Sequence, residues 1–305
     1  MKILVTGGSG FIGSHVVEHY QEQAEVIILD NLRTGHRSNL EGLKCTFIEG
    51  SILDRKLLDS IIENVDVVFH LAALVSVPES VEQPMETVNI NISGLLNVLE
   101  SARHANVRKL CFASSAAVYG ENKESPKKES MTPDPRSPYA ITKLDGEYYC
   151  DFYTRQSWLD TACLRFFNVF GPRQDPGSAY AAAIPIFIQR ALENKLLNIY
   201  GDGEQTRDFI YVKDIVGALA FLAENTSLHG VFNAGYGGSQ TINTLAKSII
   251  KQIDTKSEIV YADPRPGDIR HSLASAEKLE SAGWQARFEL DEAIAETIRF
   301  MSNAQ

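Results

Sequence analysis

The sequence predicts an α/β protein: one doubly wound parallel sheet, with a smaller C-terminal lobe interleaved with it. Three observations carry this. Short apolar runs alternate with segments of helical periodicity up to about residue 176, a glycine-rich turn joins the first run to the first helix, and beyond Gly177 longer loops bearing glycine and arginine take over. Strands separated by helices are expected to lie parallel in one sheet.

Lys2 to Thr6 is the first apolar run, and it enters Gly7-Gly8-Ser9-Gly10-Phe11-Ile12-Gly13, after which Val16, Val17 and Tyr20 keep helical spacing. Glycines at 7, 10 and 13 allow a tight turn, close approach of backbone to a pyrophosphate, and close packing of helix on strand. The next strand, Glu25 to Leu29, ends in Asp30, 20 positions after Gly10. A carboxylate there accepts both hydrogen bonds of a ribose diol and repels a 2′-phosphate, so NAD is expected rather than NADP. Arg33 and Arg37 read as a solvated loop.

Alternation continues with Lys44 to Ile48 as strand, Asp54 to Asn64 as helix and Val65 to His70 as strand. Leu71, Ala72 and Ala73 suit backbone that runs beside a bound cofactor, while His70 reads as a core histidine. One long helix is expected from Met85 to His104, with Asn91 either bracing the next loop or simply tolerated. The strand Lys109 to Ala113 runs into Ser114 and Ser115, and ligands of such sheets bind at carboxyl ends of strands, so Ser115 should face the site. Glu121 to Arg136 reads as a surface loop.

Ser137 and Pro138 suit the cap and first turn of a helix reaching about Gln156, which puts Tyr139 and Lys143 at i and i+4 on one face. An ammonium beside a phenol favours the phenolate, so Tyr139 is expected below its ordinary pKa of about 10, as a general base. The alternative is an amphipathic helix that merely carries both residues. After a strand from Thr161 to Phe167, helices are expected over Ile184 to Leu192, Val212 to Glu224 and Ile242 to Ile253, with a strand from Val231 to Ala234. Arg207, Arg265 and Arg270 on the intervening loops suggest a grip on an anion.

A net charge of -10 over 305 residues argues against nucleic-acid and membrane-surface partners. Cys45, Cys111, Cys150 and Cys163 show no metal-ligand spacing, so no metal is expected and a reducing cytoplasm fits. No apolar run approaches a membrane span.

Together these motifs resemble the extended short-chain dehydrogenase/reductase family, a Rossmann fold, and within it the nucleotide-sugar 4-epimerases. Thr6 to Gly13, Arg165 to Arg173, Thr206 to Ile210 and Arg265 to Asp268 carry the likeness. It implies that residues 1–176, with segments around 208–240, bind NAD and that 177–305 mainly bind a UDP-sugar. Gly7, Gly10, Phe11, Ile12, Gly13, Asp30, Asn31, Ser51, Ile52, Leu71, Ala72, Ala73, Asn91, Tyr139 and Lys143 would contact NAD. Ser115, Tyr139 and Lys143 would be catalytic. Ser115, Asn168, Asn198, Tyr200, Arg207, Arg265, Asp268 and Ser272 would contact the substrate, with Ser272 leaving room for an N-acetyl group. Two departures stand out: Ser51 where relatives often place an acid for the adenine, and Val75 where some place a lysine.

The implied mechanism is transient oxidation: Tyr139 takes the proton of the sugar 4-hydroxyl while hydride passes to NAD, the 4-keto sugar swings about its link to the diphosphate, and hydride returns to its other face. A homodimer paired through helices near 85 to 104 and 139 to 156 is implied as well. Related dehydratases and the UDP-glucuronate decarboxylase are the rival activities, and they carry acids just after the catalytic Ser or Thr; here Ala116 and Ala117 stand there. A non-catalytic NAD-binding regulator is the remaining alternative.

Overall fold

The apolar runs become strands of one seven-stranded sheet in the computed structural model, which describes residues 1–177, 183–264 and 270–303. The chain forms two units. The first comprises Met1–Asn122, Glu129–Phe166 and Val216–Phe232, the second Lys123–Lys128, Phe167–Ile215 and Asn233–Gln305.

In the first unit β1 (Lys2–Thr6), β2 (Glu25–Asp30), β3 (Thr46–Glu49), β4 (Val67–His70), β5 (Lys109–Ser115) and β6 (Asp160–Phe166) pair in the order β3-β2-β1-β4-β5-β6, parallel throughout. The strand Gly230–Ala234 adds to the β6 edge. Ile3, Leu4, Val5 and Val68 are wholly buried, which is why these strands read as continuous apolar runs: both faces of a parallel sheet are covered. Leu4, Leu29, Val68, Leu99, Phe112 and Cys150 meet in one core.

Helices α1 (Phe11–Tyr20), α2 (Arg55–Ile61), α3 (Val77–Glu82), α4 (Pro84–Val88), α5 (Gly94–His104) and α6 (Pro138–Arg155) supply the crossovers. Asp54 caps α2 by accepting from Leu57 N–H, and Ser137 caps α6 by accepting from Ala140 N–H. The single helix expected from Met85 to His104 is instead α4 and α5 joined by a π-helical turn over Asn89–Ser93. At that turn Asn91 reaches out of the helix to Leu74, accepting from its N–H at 2.7 Å and donating to its carbonyl at 3.1 Å.

In the second unit Asn168–Phe170 pairs parallel with Phe209–Tyr211, Leu197–Tyr200 parallel with Ile259–Ala262, and Thr206–Arg207 antiparallel with Gln240–Thr241. Asp208, wholly buried, ties this unit's loops together: its carboxylate accepts from Tyr236, Gly237 and Ala274 N–H, and its carbonyl from the Asn168 side chain. Among the described residues no helix is long and apolar enough to cross a membrane.

Candidate active site

Because β1 to β5 are parallel, the segments leaving their carboxyl ends gather at one edge of the first unit's sheet. They are the Gly7–Gly13 turn, Asp30-Asn31, Ser51-Ile52, Leu71–Ala73 and Ser115. The turn is a cradle that side chains would fill. Gly7 has φ +75°, and a Cβ there would lie 2.7 Å from Ala72 N; one on Gly13 would lie 2.1 Å from Gly7 O. Gly10 starts α1 without a side-chain cap, which leaves the first N–H groups of the helix for an anion. The Ser9 hydroxyl is buried and has no partner among the described residues. Asp30 accepts from Ser9 N–H at 3.0 Å and Leu32 N–H at 2.8 Å, which fixes its carboxylate beside the turn. A backbone cradle with no room for side chains, an orphan hydroxyl and a pinned carboxylate fit a dinucleotide's pyrophosphate and ribose.

Arg33 and Arg37 are both committed to acids. Arg33 donates to Glu86 at 2.5 Å and to Glu79 at 2.7 Å; Arg37 donates to Glu49 at 3.1 Å and lies over the Phe47 ring. Guanidinium groups spent in this way favour NAD over its 2′-phosphorylated form. Among the other expected cofactor contacts, Ser51 accepts from Leu53 N–H, Asn31 accepts from Arg33 N–H, and Ile52 is a core residue packed on Gly94. Asn91 donates to Thr142 as well as to Leu74, so it acts on the segment after β4.

His70 is a core histidine, its Nδ1 2.8 Å from the Thr6 hydroxyl. Burial first, and the charge of Lys143 second, push its pKa down to about 3, so it is neutral at working pH.

Tyr139 hydrogen-bonds the Ser115 hydroxyl, which also accepts from Ala117 N–H at 3.1 Å. Lys143 donates from Nζ to the Ala113 carbonyl at 2.8 Å, and this Nζ lies 5.7 Å from the Tyr139 ring centre. The expected depression of Tyr139 is overturned: burial raises its pKa, and only the Ser115 hydrogen bond works the other way. The ammonium turns to a backbone carbonyl instead of the phenol oxygen, and burial lowers Lys143 itself to about 8. The sequence also hides Ser80, wholly buried on α3, whose Oγ accepts from Tyr139 N–H at 3.2 Å and so seats the start of α6.

In the second unit Arg207 and Ser272 are brought together, since Thr206 accepts from Ser272 N–H at 3.1 Å. Asn168 joins them through Asp208, while Asn198 and Tyr200 lie on the strand Leu197–Tyr200. Arg270 is pinned to Asp202 by two hydrogen bonds of 3.1 and 2.9 Å, so the expected anion grip loses one of its three arginines. Arg265 and Asp268 lie outside the described residues.

A match to the NAD dependent epimerase/dehydratase family covers residues 3–235. A putative UDP-glucose 4-epimerase of Methanocaldococcus jannaschii is 41% identical over 304 residues, covering 99% of this chain and 98% of the relative. The solved UDP-N-acetylglucosamine 4-epimerase of Methanobrevibacter ruminantium, in complex with UDP-N-acetylmuramic acid, is 42% identical with a TM-score of 0.96, covering 100% of this chain and 99% of that one. The UDP-glucose 4-epimerase of Thermus thermophilus in complex with NAD is 36% identical with a TM-score of 0.92, and each chain is covered in full.

Proposed function

Since the chain belongs to the NAD dependent epimerase/dehydratase family and is an NAD-dependent epimerase, we propose that its substrate is a UDP-hexose inverted at the 4-position. UDP-N-acetylglucosamine and UDP-N-acetylgalactosamine are the preferred pair, and UDP-glucose and UDP-galactose are also accepted. The observation that carries this is the Ser115, Tyr139 and Lys143 cluster at the end of β5, followed by Ala116 and Ala117. One base next to one bridging hydroxyl suits removal and return of hydrogen at a single carbon; elimination at a neighbouring carbon needs a second titratable group there.

NAD, held by the glycine turn and Asp30, supplies the hydride acceptor. Tyr139 takes the proton of the 4-hydroxyl, Ser115 orients that hydroxyl and favours the phenolate by its hydrogen bond, and Lys143 holds α6 to the Ala113 carbonyl at the end of β5. Asn168, Asn198, Tyr200, Arg207, Arg265 and Asp268 hold the UDP part, which leaves the sugar free to turn between the two hydrogen transfers. The first unit then serves the cofactor and the second the nucleotide.

Ser272 sets sugar preference in this scheme: it lies beside Arg207, and its small side chain leaves space that a tyrosine would fill. Shape discrimination of this kind is worth roughly 10- to 200-fold. Catalytic efficiency on both sugar pairs, for wild type and Ser272→Tyr, tests this. Wild type should favour the N-acetylated pair and the variant the plain pair; an unchanged preference removes Ser272 as the gate, and no turnover of either pair removes the whole assignment.

A homodimer through α4, α5 and α6 is also proposed, working in the cytoplasm, where the four free cysteines stay reduced. These helices leave Met85 79% exposed, Tyr148 60% and Ile141 47%, a set of apolar side chains suited to a second copy. Sedimentation at micromolar concentration that found only monomer would overturn this part.

A further inference from the structure

Three consecutive residues at the carboxyl end of β5 are each tied to one of three residues spaced four apart on α6. The Ala113 carbonyl accepts from Lys143, the Ser114 hydroxyl donates to Glu147 Oε1 at 2.5 Å, and the Ser115 hydroxyl bonds that of Tyr139. Four-residue spacing lines Tyr139, Lys143 and Glu147 along one row of the helix, so the three ties fix how far α6 is slid and turned against β5. Glu147 is in turn gripped by Arg165 of β6, which pairs with Ser114 in the sheet: Nε to Oε1 is 2.8 Å and Nη2 to Oε2 is 2.7 Å. Both side chains are buried, 3% and 4% exposed, and the guanidinium lies 4.6 Å from the centre of the Tyr119 ring, just past Ser115 in the chain.

A buried ion pair is a poor device for stability, since apolar residues of the same volume usually serve as well. What a two-point carboxylate–guanidinium clamp offers is direction. We propose that Glu147 is a positioning residue for proton transfer: clamped by Arg165, it holds Ser114 and thereby sets the Ser115–Tyr139 hydrogen bond. None of Ser114, Glu147 and Arg165 is assigned a contact with cofactor or substrate. Misplacing a reacting group by about 1 Å can cost about 100-fold, so a clamp that fixes the end of β5 against α6 acts on rate rather than on affinity.

The inference rests on Tyr139 as the base, and the two can fail separately. If Tyr139→Phe keeps its turnover, the base assignment is wrong; if Tyr139→Phe is inactive but Ser114→Ala behaves as wild type, only the clamp is wrong. Ser114→Ala leaves the Glu147–Arg165 pair in place. Its kcat on the UDP-sugar should fall about tenfold, the rate equivalent of one lost buried hydrogen bond, with KM unchanged. The acid limb of its kcat–pH profile should move to higher pH, and Ser114→Thr, which keeps the hydroxyl, should restore most of the rate. The double variant Glu147→Leu with Arg165→Met removes both charges together and should fold, bind UDP as wild type does, and turn over no faster than Ser114→Ala. Wild-type kcat and pH profile in Ser114→Ala, or a loss fully accounted for by a smaller folded fraction, overturns the proposal. Should the double variant fail to fold, Ser114→Ala alone decides.

Discussion

Tyr139→Phe is expected to lower turnover by about 100- to 10,000-fold while leaving affinity for UDP unchanged, the signature of lost proton transfer. The ring survives the change, so its packing against Lys143 is kept and only the hydroxyl that meets Ser115 is lost. Since burial raises the pKa of this phenol, the wild-type enzyme should quicken as pH rises through the alkaline range, where the base form becomes populated. Single-turnover kinetics beside UDP titration separate the two effects. A variant that keeps near-wild-type turnover would remove Tyr139 from the chemistry.

Lys143→Met should lower activity and raise stability at the same time. Its Nζ ties α6 to the Ala113 carbonyl at the end of β5, so its loss should loosen the seat of Tyr139 and reduce kcat at least tenfold at pH 7. Stability moves the other way because burial lowers the folded-state pKa from 10.5 to about 8. Between those values the unfolded chain binds the proton that the folded chain has given up, so wild-type stability rises with pH from about 8 to 10.5, and below about 8 the full cost of burying the charge is present. The methionine variant escapes that cost, up to about 3 kcal/mol at pH 7, less the hydrogen bond to Ala113. Denaturant unfolding at pH 7 and pH 10 should show its advantage shrinking at the higher pH. A variant less stable than wild type at pH 7 would show that the ammonium is well solvated where it lies.

What the sequence made legible is what neighbours along the chain decide. The glycine turn, the carboxylate ending β2 and the Ser137 cap each depend on a few adjacent residues, and each was readable on that account. Long-range partners were hidden. Ser80 seats Tyr139 from 59 positions away, Ser114 finds Glu147 across 33, and Arg270 is spent on Asp202 across 68. The Tyr139 shift runs opposite to the sequence expectation for the same reason: i and i+4 spacing brings Lys143 onto the right face, but burial and the Ala113 carbonyl decide where its ammonium turns. The π-helical turn is not legible locally, since the Asn91 bonds found at it reach Leu74 in the segment after β4.

Removal and return of one hydrogen at C4 is the central claim, and substrate carrying deuterium at C4 tests it most directly. Convert UDP-N-acetylglucosamine labelled in this way in ordinary water and follow the label by mass spectrometry and proton NMR. The account predicts that the 4-epimer keeps the deuterium at C4, because the hydrogen never exchanges with solvent. Loss of the label to water as epimer forms would contradict it, since inversion would then proceed by proton abstraction from carbon.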